Sequence, residues 1–218
     1  MDIFELIKAR HSVRRYQDIP IPKNIISELK NEVSICNDLG GLNIQLVTDE
    51  PQAFKGFLAH YGIFSGVTNY FALIGPDDEM LDEKCGYYGE RLVLKAQELG
   101  LNTCWVAATY KKVPEAYTIG QNERLCLVIA LGYGKDQGKS HRSKPLKSVC
   151  SMDCEDAAFI KGIEAALLAP TAINQQKFFF TYTNGKVHLK AGSGRYTKVD
   201  KGIVKYHFEA VSGMKVES

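Results

Sequence analysis

At 218 residues with 45% hydrophobic content, the chain can bury one ordinary core, or two small halves that share one. Lysine and arginine number 27 against 25 acidic residues, a formal charge of +2, so no global field draws the chain to nucleic acid or an anionic membrane, and any anion site has to be local. No apolar run approaches the ~20 residues that cross a bilayer, and the charged start Met1-Asp2-Ile3-Phe4-Glu5-Leu6 is unlike a signal peptide, which predicts a soluble, cytoplasmic protein.

Asp2 and Glu5 make a capping-box start for a first helix that buries Ile3, Phe4, Leu6 and Ile7 and ends near Arg10. The basic run Arg10-His11-Ser12-Val13-Arg14-Arg15 follows. Pro22 opens a second helix, with Ile25, Ile26, Leu29, Val33 and Cys36 at helical spacing, and Gly40-Gly41 closes it. Ile44 to Thr48 is a strand candidate, Pro51 to about Leu58 a short helix, and Tyr70 to Ile74 a strand stopped by Gly75-Pro76-Asp77. From Gly86 to Leu99 the positions Tyr88, Leu92, Ala96 and Leu99 share one helix face, with Gly100 as the stop. Thr103 to Ala107 and Leu125 to Leu131 read as apolar strands. Helices mixed with nearly continuous apolar strands indicate an α/β or α+β layer around a sheet.

Gly134 to Arg142 is polar and glycine-bearing, with the composition of a linker. Beyond it, Asp153 is placed to cap a helix carrying Phe159, Ile163, Ala166 and Leu167. That helix runs into a polar elbow, Thr171-Ala172-Ile173-Asn174-Gln175-Gln176, and then a strand from Phe178 to Thr183. Asn184-Gly185 is a type I′ hairpin signal leading to a strand at Lys186 to Lys190, and a last helix runs through Ile203, Tyr206, His207 and Val211. The order of loop, capped helix, elbow and strand from Arg10 to Thr48 is echoed from Arg142 to Thr183, a pattern of internal pseudo-duplication.

Arg10 to Arg14 offers two guanidinium forks, a hydroxyl and backbone donors within five residues, a set suited to a phosphate. The alternative is a basic turn facing water. Arg142, Ser143 and Lys144 form a second small basic group. Gly132-Tyr133-Gly134 follows a strand, but the next glycine is Gly138 and a polar stretch follows where a dinucleotide-binding fingerprint requires a helix. The six cysteines are scattered with no C-x-x-C pair, so neither a zinc site nor a disulfide framework is expected, and Cys104 and Cys126 read as small core residues. No histidine pairs locally with a serine or cysteine as a triad would require. An anion site without a candidate acid or base suggests that a bound cofactor carries the chemistry.

These residues resemble FMN-dependent nitroreductases at several places. Arg10-His11-Ser12-Val13-Arg14 is similar to the family's R-x-S-x-R segment, which holds the FMN phosphate. Gly100-Leu101-Asn102-Thr103-Cys104-Trp105-Val106 is similar to G-L-G-T-x-W, with Asn102 in place of a glycine; backbone just beyond it approaches flavin N5 in the family. Leu131-Gly132-Tyr133-Gly134 resembles L-G-Y-P, and Arg142 to Leu146 the basic, proline-containing tail that returns to the phosphate. After the second helix the family carries A-P-S-x-x-N-x-Q-P-W, whereas this chain has Asn37-Asp38-Leu39-Gly40-Gly41-Leu42-Asn43 there. The motif reappears as Ala169-Pro170-Thr171-Ala172-Ile173-Asn174-Gln175-Gln176, followed by Lys177-Phe178 where Pro-Trp is usual.

The resemblance implies an α+β nitroreductase-like fold, with a central mixed, mostly antiparallel sheet flanked by helices. It implies a first half of residues 1–146 with the phosphate loop and a shortened second half of residues 147–218, both in one compact unit. The second half would replace the partner subunit whose elbow covers the flavin in ordinary family dimers, a pseudo-dimer. FMN would then be held by Arg10, His11, Ser12, Arg14, Arg142 and Lys144 at the phosphate, by backbone near Val106 and Ala107, and by Pro170, Thr171, Ala172 and Asn174 from the elbow. NADH or NADPH would be the reductant, a small electron-poor acceptor such as a nitroaromatic or quinone the other substrate, and no side chain need be catalytic. The fused chain could act as a monomer or associate further as a homodimer. A flavin-binding protein without turnover, and a flavin-free scaffold, are the alternatives on the same fold.

Overall fold

The computed structural model describes residues 2–217. In chain order its elements are α1 (Ile3–Ala9), α2 (Lys23–Gly40), β1 (Gln45–Val47), α3 (Phe57–Tyr61), β2 (Asn69–Pro76), α4 (Leu81–Glu98), β3 (Asn102–Val106), β4 (Glu123–Gly132), β5 (Cys150–Met152), α5 (Ala157–Ala166), β6 (Phe178–Thr183), β7 (Lys186–Ala191) and α6 (Thr197–Ser212). The chain divides into a larger unit of residues 10–81 and 91–139 and a smaller one of residues 1–9, 82–90 and 140–218.

In the larger unit, four strands pair in the order β1-β2-β4-β3, every pair antiparallel. β2 is buried at all positions but its last, so its continuous apolar run reflects a central place in the sheet and not a parallel one. Leu73 and Ile74 bracket a register shift against β4. Helix α2 starts behind Pro22, whose φ of −58° already suits a helix entry, and ends at Gly41, φ 60°, whose N–H returns to Asn37 O. Leu29, Val33 and Cys36 are its buried stripe, while Ile25 and Ile26 are only half-buried. The expected helix at Pro51 to Leu58 is instead a 3-10 turn, Gln52–Phe54, followed by α3. Phe54 anchors that turn in the core, edge-on to Phe64 with centroids 5.3 Å apart and 6.0 Å from Tyr70.

In the smaller unit, β5 runs parallel to β6 and β6 antiparallel to β7. The mixing of strand directions is confined to this second sheet. The hairpin between β6 and β7 turns on Asn184 and Gly185, φ 53° and 75°, as a type I′ turn requires. Asp156, not Asp153, caps α5: its carboxylate accepts from Phe159 N at 2.8 Å, because the helix begins at Ala157 and only the residue before it faces the third helical N–H. Asp153 instead accepts from Asn184 N at 2.9 Å and ties the end of β5 to the hairpin. β5, three residues long, was not expected from the sequence.

Helix α4 begins at Leu81, five residues before the expected Gly86, with Asp82 and Glu83 in its first turn, where carboxylates face the positive end of the helix dipole. Within the smaller unit, its residues 82–90 cross α6 at two glycines: a Cβ on Gly202 would lie 2.6 Å from Tyr87 N and overlap the Glu83 carbonyl, and one on Gly86 would overlap Val199 O. Gly162 of α5 similarly admits the ring of Phe208, which a Cβ would meet at 2.6 Å. Phe159, Phe180 and Phe208 are fully buried there, each contributing about 1.5–3 kcal/mol of burial. Among the described residues no helix is long and apolar enough to cross a membrane.

Candidate functional site

The basic segment of the larger unit is an extended thread rather than a loose turn. Val13 N donates to Thr103 O at 3.0 Å, Tyr16 N to Ser65 O at 2.9 Å and Gln17 N to Tyr133 O at 2.8 Å, while Arg14 O and Arg15 O accept from Ser65 N and Lys135 N. Val13 and Tyr16 point inward, each 1% exposed, and the Tyr16 hydroxyl donates to Val13 O at 2.6 Å. Arg14 and Arg15, between those two buried side chains, lie at the surface. Arg15 pairs with Asp136 at 2.8 Å.

Arg10 is not a solvated cation: it is 5% exposed. Burial pushes the Cys104 thiol pKa up, and Arg14, a hydrogen bond from Ser12 and Arg10 all oppose that rise. Ser12 bridges Thr103 at the start of β3, so the basic thread runs against that strand's first residues. Three residues on, at ~3.3 Å per residue, β3 ends at Val106, with Ala107 half-buried beyond it.

Asn102, the residue standing where the family has glycine, braces the neighbouring loop. Its side-chain oxygen accepts from Gly134 N at 2.9 Å and its amide donates to Gln137 Oε1 at 3.0 Å. A Cβ on Gly138 would meet the His11 Cβ at 2.7 Å, so this loop lies directly against the basic thread. The 134–138 stretch, linker-like in composition, is held in place.

The elbow lies in the smaller unit, between α5 and β6. Gln176, 2% exposed, is its hub: its N–H donates to Thr171 Oγ1 at 3.1 Å, its amide nitrogen to Arg142 O at 2.8 Å and Asn174 Oδ1 at 2.6 Å, and its amide oxygen accepts from Lys144 N at 2.8 Å. Asn174 Nδ2 also donates to Arg142 O, at 2.9 Å. The Lys144 ammonium donates to the carbonyls of Gln175 and Gln176 at 2.9 and 2.8 Å, and His141 and Ser143 both bond Leu167 O at the end of α5. Arg142 and Lys144 are therefore stitched to the elbow itself, with the Arg142 side chain exposed.

Thr171 is buried, Ala172 and Pro170 half-buried and Asn174 exposed. The sequence-predicted residues thus form two groups, one in each unit: Arg10, His11, Ser12, Arg14, Val106 and Ala107 in the larger, and Arg142, Lys144, Pro170, Thr171, Ala172 and Asn174 in the smaller. Sequence reasoning missed three participants. Gln176 and Gln175 were visible in the elbow motif but not assigned a role. Asp200, which accepts from Ala172 N and Gln175 Nε2, carries no local signal 28 residues away from Ala172.

A family model described as "Putative TM nitroreductase" matches residues 2–212. The chain is similar to a crystal structure from Thermotoga maritima described as a "putative nitroreductase", at 23% identity and TM-score 0.66, over 97% of this chain and 83% of that one. It is also similar to an FMN-dependent nitroreductase from Clostridium difficile, at 18% identity and TM-score 0.50, over 63% and 90%. A third, from Parabacteroides distasonis, described as a "putative NADH dehydrogenase/NAD(P)H nitroreductase", is 19% identical at TM-score 0.52, over 67% and 95%. No curated protein sequence matches. With the family model spanning nearly the whole chain over an α+β fold, this protein belongs to the nitroreductase family.

Proposed function

We propose that this chain is an FMN-dependent NAD(P)H oxidoreductase of nitroreductase type, cytoplasmic, and active on a small electron-poor acceptor such as a nitroaromatic or quinone. The observation that carries the reading is the thread bearing buried Arg10, Ser12 and Arg14, held against the start of β3 by the Ser12–Thr103 bridge and the bond from Val13 N to Thr103 O. That donor set fits a phosphate monoester: two guanidinium forks supply charge-assisted bonds of about 1.5–3 kcal/mol each, and the hydroxyl adds another donor. From Thr103 to Val106 the strand covers about 10 Å, a span that the five-carbon ribityl chain of FMN can match. Bound FMN would supply the redox chemistry, accepting hydride from NADH or NADPH and passing reducing equivalents to the acceptor.

The chain's own residues would bind, orient and exclude water. Arg10, His11, Ser12 and Arg14 would take the phosphate, and backbone at Val106 and Ala107 would serve the ring. Pro170, Thr171, Ala172 and Asn174 supply the elbow that a second subunit provides in dimeric relatives, with Arg142 and Lys144 beside it. Two observations support such a fusion. The elbow motif follows α5 and not α2, and the C. difficile structure covers 90% of itself but only 63% of this chain, as an added segment would produce. The fused chain would carry one FMN, whether as a monomer or associated further as a homodimer.

The test is the visible spectrum of the purified protein, FMN released per chain, and anaerobic addition of NADPH and then NADH. About one FMN per chain that bleaches with either donor supports the enzyme. Flavin that no donor reduces indicates a binding protein without turnover. A colourless protein that takes up no added FMN overturns the flavin reading.

A further inference from the structure

Three non-glycine residues of the elbow sit in the left-handed region: Ile173 at φ 46°, Asn174 at 54° and Gln176 at 44°. For a β-branched residue such as Ile173 this conformation is a real outlier, costing about 1–3 kcal/mol, and persists only where the surroundings over-determine it. Packing does not hold Ile173, whose side chain is 97% exposed. Hydrogen bonds on either side of it do.

Asp200 lies in the first turn of α6 and is 2% exposed. One carboxylate oxygen accepts from Ala172 N at 2.9 Å and the other from Gln175 Nε2 at 2.6 Å. A single carboxylate thus grips the chain one residue before Ile173 and one residue after Asn174, bracketing the strained pair. The second hydrogen of the Gln175 amide goes to Arg195 O at 3.1 Å, which fixes which way that amide faces. Burial raises the Asp200 pKa while its two donors lower it. A carboxylate placed in an apolar interior is costly unless its hydrogen bonds compensate, and here both donors belong to the elbow.

We propose that Asp200 is the positioning residue of the elbow: it sets the strained backbone that presents Thr171, Ala172 and Asn174 to the flavin, and this rests on the flavin reading above. Asparagine at this position keeps an oxygen for Ala172 N–H but brings a second donor against Gln175 Nε2. Gln175 can turn its amide to accept, at the expense of its bond to Arg195 O. The conservative variant therefore breaks one link of the brace while preserving volume.

The experiment compares wild type, Asp200→Asn, Asp200→Ala and, as control, Val204→Ala, which trims the buried side of the same helix. The readouts are the FMN dissociation constant, the absorbance and circular dichroism of bound flavin, and amide hydrogen exchange of the elbow peptide without flavin. The expected result is FMN binding weakened at least about tenfold by Asp200→Asn, more by Asp200→Ala, with an altered flavin spectrum and faster elbow exchange. Val204→Ala should lower the melting temperature and leave binding and spectrum unchanged. Wild-type affinity and spectrum in Asp200→Asn would overturn the proposal. If wild type takes up no FMN, the flavin reading falls, and exchange alone decides: faster elbow exchange in Asp200→Asn supports the positioning role, and unchanged exchange overturns it.

Discussion

His207 Nε2 lies 2.8 Å from Glu90 Oε1, and both side chains are fully buried. His207 Nδ1 is 2.9 Å from Ala165 O, and a carbonyl can only accept, so Nδ1 carries a proton. The pair joins α4, α5 and α6 within the smaller unit.

Removing one member of this pair should therefore cost far more than neutralising it. His207→Leu is expected to destabilise by about 3–5 kcal/mol, since the Glu90 carboxyl loses this partner in a dry interior. Glu90→Gln, whose amide N–H can donate to the neutral ring, should cost no more than about 1.5 kcal/mol. Urea unfolding of both variants checks the order; equal losses would contradict it.

Gly202 is required for space and not for a special backbone angle. Gly202→Ala gains up to about 1 kcal/mol of helix propensity but drives a methyl into the Glu83 carbonyl and Tyr87 N. Overpacking of about 1–3 kcal/mol or more should win. The melting temperature is expected to fall, and a rise would mean that α4 and α6 do not cross this closely.

Arg10 and Arg14 should separate. Either change to alanine is expected to weaken FMN about 10- to 100-fold, the loss of one charge-assisted contact. Only Arg10→Ala should also lower the melting temperature, because Arg10 is buried and Arg14 is at the surface. Raising the salt concentration should weaken the exposed Arg14 contact most. Stoichiometric FMN retained in the double variant would refute the phosphate assignment.

Of the six cysteines, Cys154 is exposed while the others are buried or, for Cys126, half-buried. A hydrogen bond to Asp153 raises the Cys154 pKa above 9.0, so thiolate is scarce at neutral pH and the reaction with a disulfide reagent slower than that of a small thiol. The rate should climb about tenfold per pH unit below that pKa. One accessible thiol, removed by Cys154→Ser, is expected in the native protein. Cys36, pushed up to about 12 chiefly by burial, should react only on unfolding.

Local spacing made much of the architecture legible. The Leu29, Val33, Cys36 stripe, the Gly41 stop and the Asn184-Gly185 hairpin are each decided by neighbours a few residues apart. Failures came where a competing local option existed: Asp153 and Asp156 both precede α5, and only the helix start at Ala157 selects between them. Lys144 reads as a phosphate ligand in sequence, yet its ammonium closes on the Gln175 and Gln176 carbonyls. No periodicity could have announced β5, whose three residues are defined by pairing with β6.

By itself the sequence determined most of the helices and strands, the basic segment and the displaced elbow motif, because those rest on side-chain spacing along a few turns or pleats. Only the tertiary structure decided which arginine is buried, which carboxylate grips the elbow, and that residues 82–90 of α4 cluster with α6. Arg10 and Arg14 are equivalent as symbols, and Asp200 is one acidic residue among many. Burial and hydrogen bonding between segments far apart in the chain make them different, and neither is encoded in any short stretch.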